Sequence, residues 1–194
     1  MIVGITGGTG CGKTTALKAF ADLGGMVIDC DALYHRLLNT EPAMPEAIEL
    51  RFPGTVKEGV LDRKALASLV FSDENALKDL NAITHRFVCE AVKRLIADCD
   101  HAAIDAIALL ESDLKDICDV TVAITAPEDV RVTRIMARDH ISEDAAKQRI
   151  AAQKPQRYFA QNCRYTLENN GTTAEFYDKC LTFFEGLGIM KKGN

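Results

Sequence analysis

The chain has 194 residues, 47% of them apolar and 26% charged, with a formal net charge of −5. This suits one compact globular unit with room for an insertion, and the acidic balance argues against a general nucleic-acid-binding surface. Seven cysteines, odd in number and never spaced C-x-x-C, argue against a disulfide framework and a zinc site and point to a reducing compartment. Residues 1–5 form a short apolar run suited to a buried strand. A glycine-rich turn follows, in which Gly7, four residues and Gly12-Lys13-Thr14 fit G-x-x-x-x-G-K-[ST]. Residues 16–23 then read as a helix with Leu17, Phe20 and Ala21 on one face and Gly24 as its stop. A strand, a glycine turn and a helix in this order cradle nucleotide phosphates, because backbone N–H groups can close around the oxygens at a helix N-terminus. Gly8, Thr9, Gly10, Cys11, Gly12, Lys13, Thr14 and Thr15 are therefore the candidate nucleotide-binding turn. Lys13 would reach the β- and γ-phosphates, and the Thr14 hydroxyl would ligate Mg²⁺. Cys11 stands near a helix N-terminus and Lys13, a setting that predicts a lowered thiol pKa and sensitivity to oxidation.

Residues 26–30 read as a second strand, followed at once by Asp31. Residues 32–100 exceed what a crossover needs, and contain helical patterns from an Asp62 N-cap to Phe71 and from Ser72-Asp73 to about Ile96. An insertion near the carboxyl ends of a doubly wound sheet is placed to hold a substrate, although a purely structural embellishment would read the same way. Residues 101–105, 120–124 and 164–167 supply three more strands, which gives an α/β fold with a mostly parallel five-stranded sheet. From Pro127-Glu128 a helix carries Arg131, Arg134 and Arg138 on one side and Val132, Ile135 and Met136 on the other. Ser142 caps a further short helix with Lys147 and Arg149. Arginine suits multidentate phosphate contacts, so this hairpin reads as a closing lid, with a solvated charged face as its alternative. No apolar run reaches membrane-spanning length and no leader pattern precedes the first strand, so a cytoplasmic protein without membrane contact is expected.

Among nucleotide-binding classes, a GTP switch should carry N-K-x-D, which is absent, and the chain is short for a coupled ATPase. A small-molecule kinase needs only the phosphate turn, an acceptor pocket and an arginine lid. The chain resembles the dephospho-CoA kinase family from about residue 2 to residue 171. The resemblance rests on residues 4–8 before the turn, 27–31, Leu61-Asp62-Arg63, Val70-Phe71-Ser72-Asp73, His85, Asp105 with Glu111, residues 134–139 and Glu168-Asn169-Asn170-Gly171. It implies a P-loop three-layer α/β/α core (1–31, 101–133 and 155–194) within a single kinase domain, a helical acceptor-binding insertion (32–100) and a lid (134–154). It further implies phosphorylation of the ribose 3′-hydroxyl of dephospho-coenzyme A by ATP, with Mg²⁺, no nucleic-acid partner and a monomer expected. In that family's terms Asp31, Lys13 and Arg138 are catalytic. Arg134, Asn169 and Asn170 join the ATP site, while Thr6, His85, Leu109 and Glu111 join Asp31 around the acceptor. Asp105 would bind the metal through water. Asp29 competes with Asp31, but its place inside the apolar run reads as structural. Arg86 replaces the proline that usually follows His85, which predicts that the helix runs straight through. Asp105-Ala106-Ile107-Ala108-Leu109-Leu110-Glu111 lacks the family's Pro and Phe, so a kinase of another small acceptor, a nucleoside or nucleotide, is the alternative. A non-catalytic nucleotide-binding regulator is a more distant one.

Overall fold

A computed structural model describes residues 1–190; residues 191–194, the end of the expected core, lie outside the described residues. Two compact units are present, one gathering Met1–Ile28 and the chain from Asp98 onward, the other Asp29–Ala97. The first unit is built on a five-stranded sheet in the order β2-β5-β1-β6-β7. Its strands are β1 (Ile2–Thr6), β2 (Met26–Asp29), β5 (Ala102–Asp105), β6 (Val120–Thr125) and β7 (Tyr165–Glu168). β1 pairs in parallel with β5 (Ile2 opposite Ala102) and with β6 (Val3 opposite Val120), and β6 pairs in parallel with β7. The central strands are buried almost throughout, which is why they read as continuous apolar runs rather than alternating ones.

Helices α1 (Lys13–Asp22) and α9 (Thr173–Gly186) pack together against this sheet. Val3, Ile5, Val122 and Ile124 meet Phe20, Phe176 and Phe184 there, and the Phe20 and Phe184 rings lie edge to face at 5.1 Å. Thr172 and Glu175 close a reciprocal capping box that starts α9. α6 (Glu128–Asp139) and α7 (Glu143–Ala151) form the expected hairpin, with the Ser142 hydroxyl accepting from the Ala145 N–H at 3.3 Å. A short helix not foreseen in the sequence, α8 (Gln156–Asn162), packs on β6. Its Gln156 amide both donates to and accepts from the Ala126 backbone, at 2.6 and 2.7 Å.

The second unit holds α2 (Cys30–Thr40), α3 (Ala43–Arg51), a hairpin of β3 (Val56–Lys57) and β4 (Val60–Leu61), α4 (Arg63–Val70) and α5 (Glu74–Ile96). Asp62 and Asp73 are the N-caps of α4 and α5, as their positions predicted. The second strand stops earlier than expected. The Asp29 carboxylate accepts from the Ala32 N–H at 2.9 Å and so starts α2 at Cys30. Asp31 therefore sits in the first turn of a helix. α5 runs unbroken for 23 residues past His85 and Arg86, because nothing in that stretch removes an N–H.

Candidate active site

β1 delivers the chain into the glycine turn, and α1 begins directly after Gly12, whose φ of 102° is open to glycine and costly for other residues. A Cβ there would also stand 2.2 Å from the Asn169 amide nitrogen. The turn encloses a cavity of about 230 Å³ lined by residues 8–14 together with Asp105, Arg134, Ile135 and Arg138. The glycine turn, a strand-end carboxylate and two arginines of α6 thus converge on one space. Lys13 is half-buried, with its ammonium donating to the Gly7 carbonyl at 3.1 Å, so it lies along the turn it would serve. Thr15 lies in the first turn of α1, its N–H donating to the Gly12 carbonyl at 3.0 Å, and does not line the cavity.

Arg134 is oriented by three acceptors: Asn169 Oδ1 at 3.1 Å, Gly10 O at 3.4 Å and Gly171 O at 3.5 Å. The Asn169 amide also donates to the Cys11 carbonyl at 2.9 Å. Buried at the end of β7, Asn169 thus ties the glycine turn to α6. Arg138 is exposed and forks onto Asp139 at 2.7 and 2.9 Å, with Thr9 Oγ1 at 3.4 Å. Asp139 also takes Arg149 from α7. The two arginines hold the Asp139 carboxyl below its usual range, and Asp139 raises Arg138 in turn.

Other candidates fall elsewhere. Thr6 is fully buried and its hydroxyl has no partner. Leu109 is fully buried against Gly4, so it belongs to the core and is not open to a ligand in this structure. Glu111 is exposed, and lies beside Tyr158, whose phenol is raised by burial and by that carboxylate. Asn170 does not reach the phosphate cavity; it lines a second cavity of about 390 Å³ with Pro127, Arg157 and Glu168. In the Asp29–Ala97 unit, Asp31 is exposed on α2 and His85 is half-buried on α5. Arg86 stacks on the Phe87 ring at 4.9 Å from its centroid.

Two sequence expectations are corrected. Cys11 is 1% exposed, and burial raises its thiol pKa, outweighing Lys13, so the expected reactive thiolate is not supported. Arg131, placed by spacing on the lid's arginine row, is buried at 3% exposure, because the glycine turn covers that face of α6. Arg131 Nε donates to Thr9 O at 2.8 Å, and the Thr9 N–H donates to Gln153 Oε1, also at 2.8 Å. Gln153 had no sequence signal, since it follows α7 in an unpatterned stretch.

Thr14 and Asp105 bring a hydroxyl and a carboxylate to the phosphate cavity. Hard oxygen donors in that number suit Mg²⁺, which keeps most of its shell for water and phosphate. Among the described residues no group of three or more His, Cys, Asp or Glu is arranged to cage a metal ion, and no helix is long and apolar enough to cross a membrane.

Residues 1–175 match the dephospho-CoA kinase family profile. A dephospho-CoA kinase from Geobacter sulfurreducens is 33% identical over 181 residues, covering 90% of this chain and 92% of its own. A crystal structure from Thermus thermophilus superposes with a TM-score of 0.80 at 31% identity, over 100% of this chain and 98% of the other. A dephospho-CoA kinase from Campylobacter jejuni shares the fold with a TM-score of 0.67 at 24% identity, over 96% of each chain. With the glycine turn, the α6 arginines and the strand-end carboxylate in place beside these matches, the chain belongs to the dephospho-CoA kinase family.

Proposed function

We propose that this enzyme transfers the γ-phosphoryl group of ATP to the ribose 3′-hydroxyl of dephospho-coenzyme A, giving coenzyme A and ADP. The observation that carries the reading is the convergence of the glycine turn, Lys13, Asp105, Arg134 and Arg138 on one cavity. A nucleotide-binding regulator would need the turn but not two arginines aimed at the same space. Phosphoryl transfer passes through a loose transition state, so orientation and charge neutralisation dominate over base strength. The bond from the γ-phosphorus to the β–γ bridging oxygen breaks as the bond to the 3′-oxygen forms. Asp31 takes the proton of that hydroxyl. Lys13 and the turn's N–H groups hold the triphosphate, and Arg134 and Arg138 neutralise charge on the transferring group. Arg138 must turn from Asp139 to do so, which makes residues 134–154 a lid that excludes water. Mg²⁺, held by Thr14 and by Asp105 through water, would add charge neutralisation at the phosphates.

Residues 32–100 are assigned as the acceptor-binding part, with His85 contacting the acceptor. Glu111, exposed in the segment after β5, serves the same role. Seven free cysteines fit a reducing cytoplasm, and a monomer suffices for this chemistry.

Mass spectrometry of a reaction with Mg-ATP and dephospho-coenzyme A should show coenzyme A formed only when both substrates are present. Turnover of a nucleoside or nucleotide instead would move the enzyme to another acceptor. Asp31→Asn should lower kcat by about 100-fold while leaving the KM for ATP within about twofold. Parental kcat with the acceptor saturating would remove Asp31 from the reaction.

A further inference from the structure

Arg131 has no role in the scheme above, yet its surroundings are unusual for an arginine. It lies on α6, 3% exposed, pressed against the crest of the glycine turn. A Cβ at Gly8 would stand 2.5 Å from Arg131 Nη2, and one at Gly10 would stand 2.9 Å from the Arg131 carbonyl oxygen. Nε is satisfied by Thr9 O at 2.8 Å, but Nη2 is buried with no hydrogen-bond partner. Among the described residues no carboxylate forms an ion pair with it. The groups that act on it electrostatically are the Cys11 thiol and Glu128, one turn earlier on the same helix. Burial outweighs both and pulls the guanidinium below its usual range.

A buried cation without a counter-charge works against the folded state unless something anionic arrives. Here the cation adjoins the backbone that wraps the phosphates. The same Thr9 residue is gripped a second time, by Gln153 at the far end of the lid hairpin. We propose that Arg131 is a positioning residue for the nucleotide, fixing the turn's Gly8–Gly10 crest from the lid helix and holding there a positive charge whose counter-charge is the bound triphosphate. This rests on the reading that the glycine turn holds ATP. It ties both ends of the α6–α7 hairpin to Thr9, so movement of that hairpin acts directly on the groups around the phosphates.

The test compares the parent, Arg131→Gln and Arg131→Lys by calorimetric titration with ATP and AMP, by kinetics with dephospho-coenzyme A saturating, and by melting without ligand. Arg131→Gln removes the charge and keeps a donor for Thr9. It should weaken ATP binding roughly tenfold, the share of a charge-assisted contact, and change AMP binding little. kcat should stay within about threefold, and the ligand-free Tm should be equal to the parent's or higher, because an uncompensated buried charge is gone. Arg131→Lys should restore ATP affinity to within about threefold of the parent.

Parental ATP affinity in Arg131→Gln overturns the proposal. So does a fall of several degrees in ligand-free Tm, or failure to fold, since either marks Arg131 as a structural strut. A lysine variant no better than glutamine removes the charge from the explanation and overturns it too. A parent that binds no ATP overturns the nucleotide reading along with the proposal, whereas normal parental turnover beside indifferent variants overturns the proposal alone.

Discussion

Thr6 ends β1 one residue before the glycine turn, with its hydroxyl fully buried and unpartnered. A polar group in that state costs about 1–3 kcal/mol relative to one that is bonded, and it persists where a ligand supplies the missing partner. Thr6→Val keeps the shape and removes the orphan, so its Tm should rise by a few degrees. If the acceptor or the transferring phosphate is that partner, kcat/KM for dephospho-coenzyme A should fall several-fold in the same variant. A raised Tm with parental kinetics would strike Thr6 from the site. Lys13, Thr14, Arg134 and Arg138 were legible as single residues because motif spacing fixes what they face. Cys11 and Arg131 were not, because burial under a distant segment decides their chemistry. Cys11 packs in the sheet core, and Arg131 is roofed by a turn some 120 positions away in the chain, as its bond to Thr9 records.

At the scale of elements, β7 contributes to the site through what its end carries. Asn169 joins the Cys11 carbonyl at 2.9 Å to the Arg134 guanidinium at 3.1 Å, so one buried amide sets the turn and the α6 arginine together. Asn169→Ala deletes both bonds and leaves the Cys11 carbonyl without that donor. Such a loss should cost about 1–3 kcal/mol, read as a drop of several degrees in Tm, and should raise the KM for ATP more than it lowers kcat. An unchanged KM beside a lowered Tm would make Asn169 a structural tie only. The caps at Asp62, Asp73 and Ser142 were readable because a short side chain at an N-terminus has a local job. β3 and β4 were not, since two residues each are too few to show a period. α3 hides behind Pro45, tolerated in its first turn where the lost N–H has no helical partner. α8 is seven residues long and rests on tertiary contacts, the pairing of Gln156 with Ala126 and the burial of Phe159.

For the whole molecule, strands were legible from apolar runs, but their order in the sheet was not, because pairing depends on contacts between segments far apart in sequence. α1 and α9 illustrate this: they stand at opposite ends of the chain and share one core with β1 and β6. Cys180 sits in that core, fully buried, and burial pushes its thiol from 9.0 up to about 12. Between pH 9 and 12 an unfolded thiol has lost its proton while the folded one keeps it. Fewer protons are then bound in the unfolded state, so stability falls as pH rises, by about 1.4 kcal/mol per pH unit for this group. The contribution is whole below pH 9 and disappears as pH climbs toward the folded value. Cys180→Ala removes this slope, while its cavity lowers stability by an amount that does not depend on pH. Urea midpoints at pH 8, 9, 10 and 11 should therefore show the parent's advantage over Cys180→Ala shrinking by about 1.4 kcal/mol per unit above pH 9. A constant gap would mean that the thiol ionises without unfolding. That would in turn require α9 to part from α1 while the sheet stays intact, contrary to a single core shared by both ends of the chain.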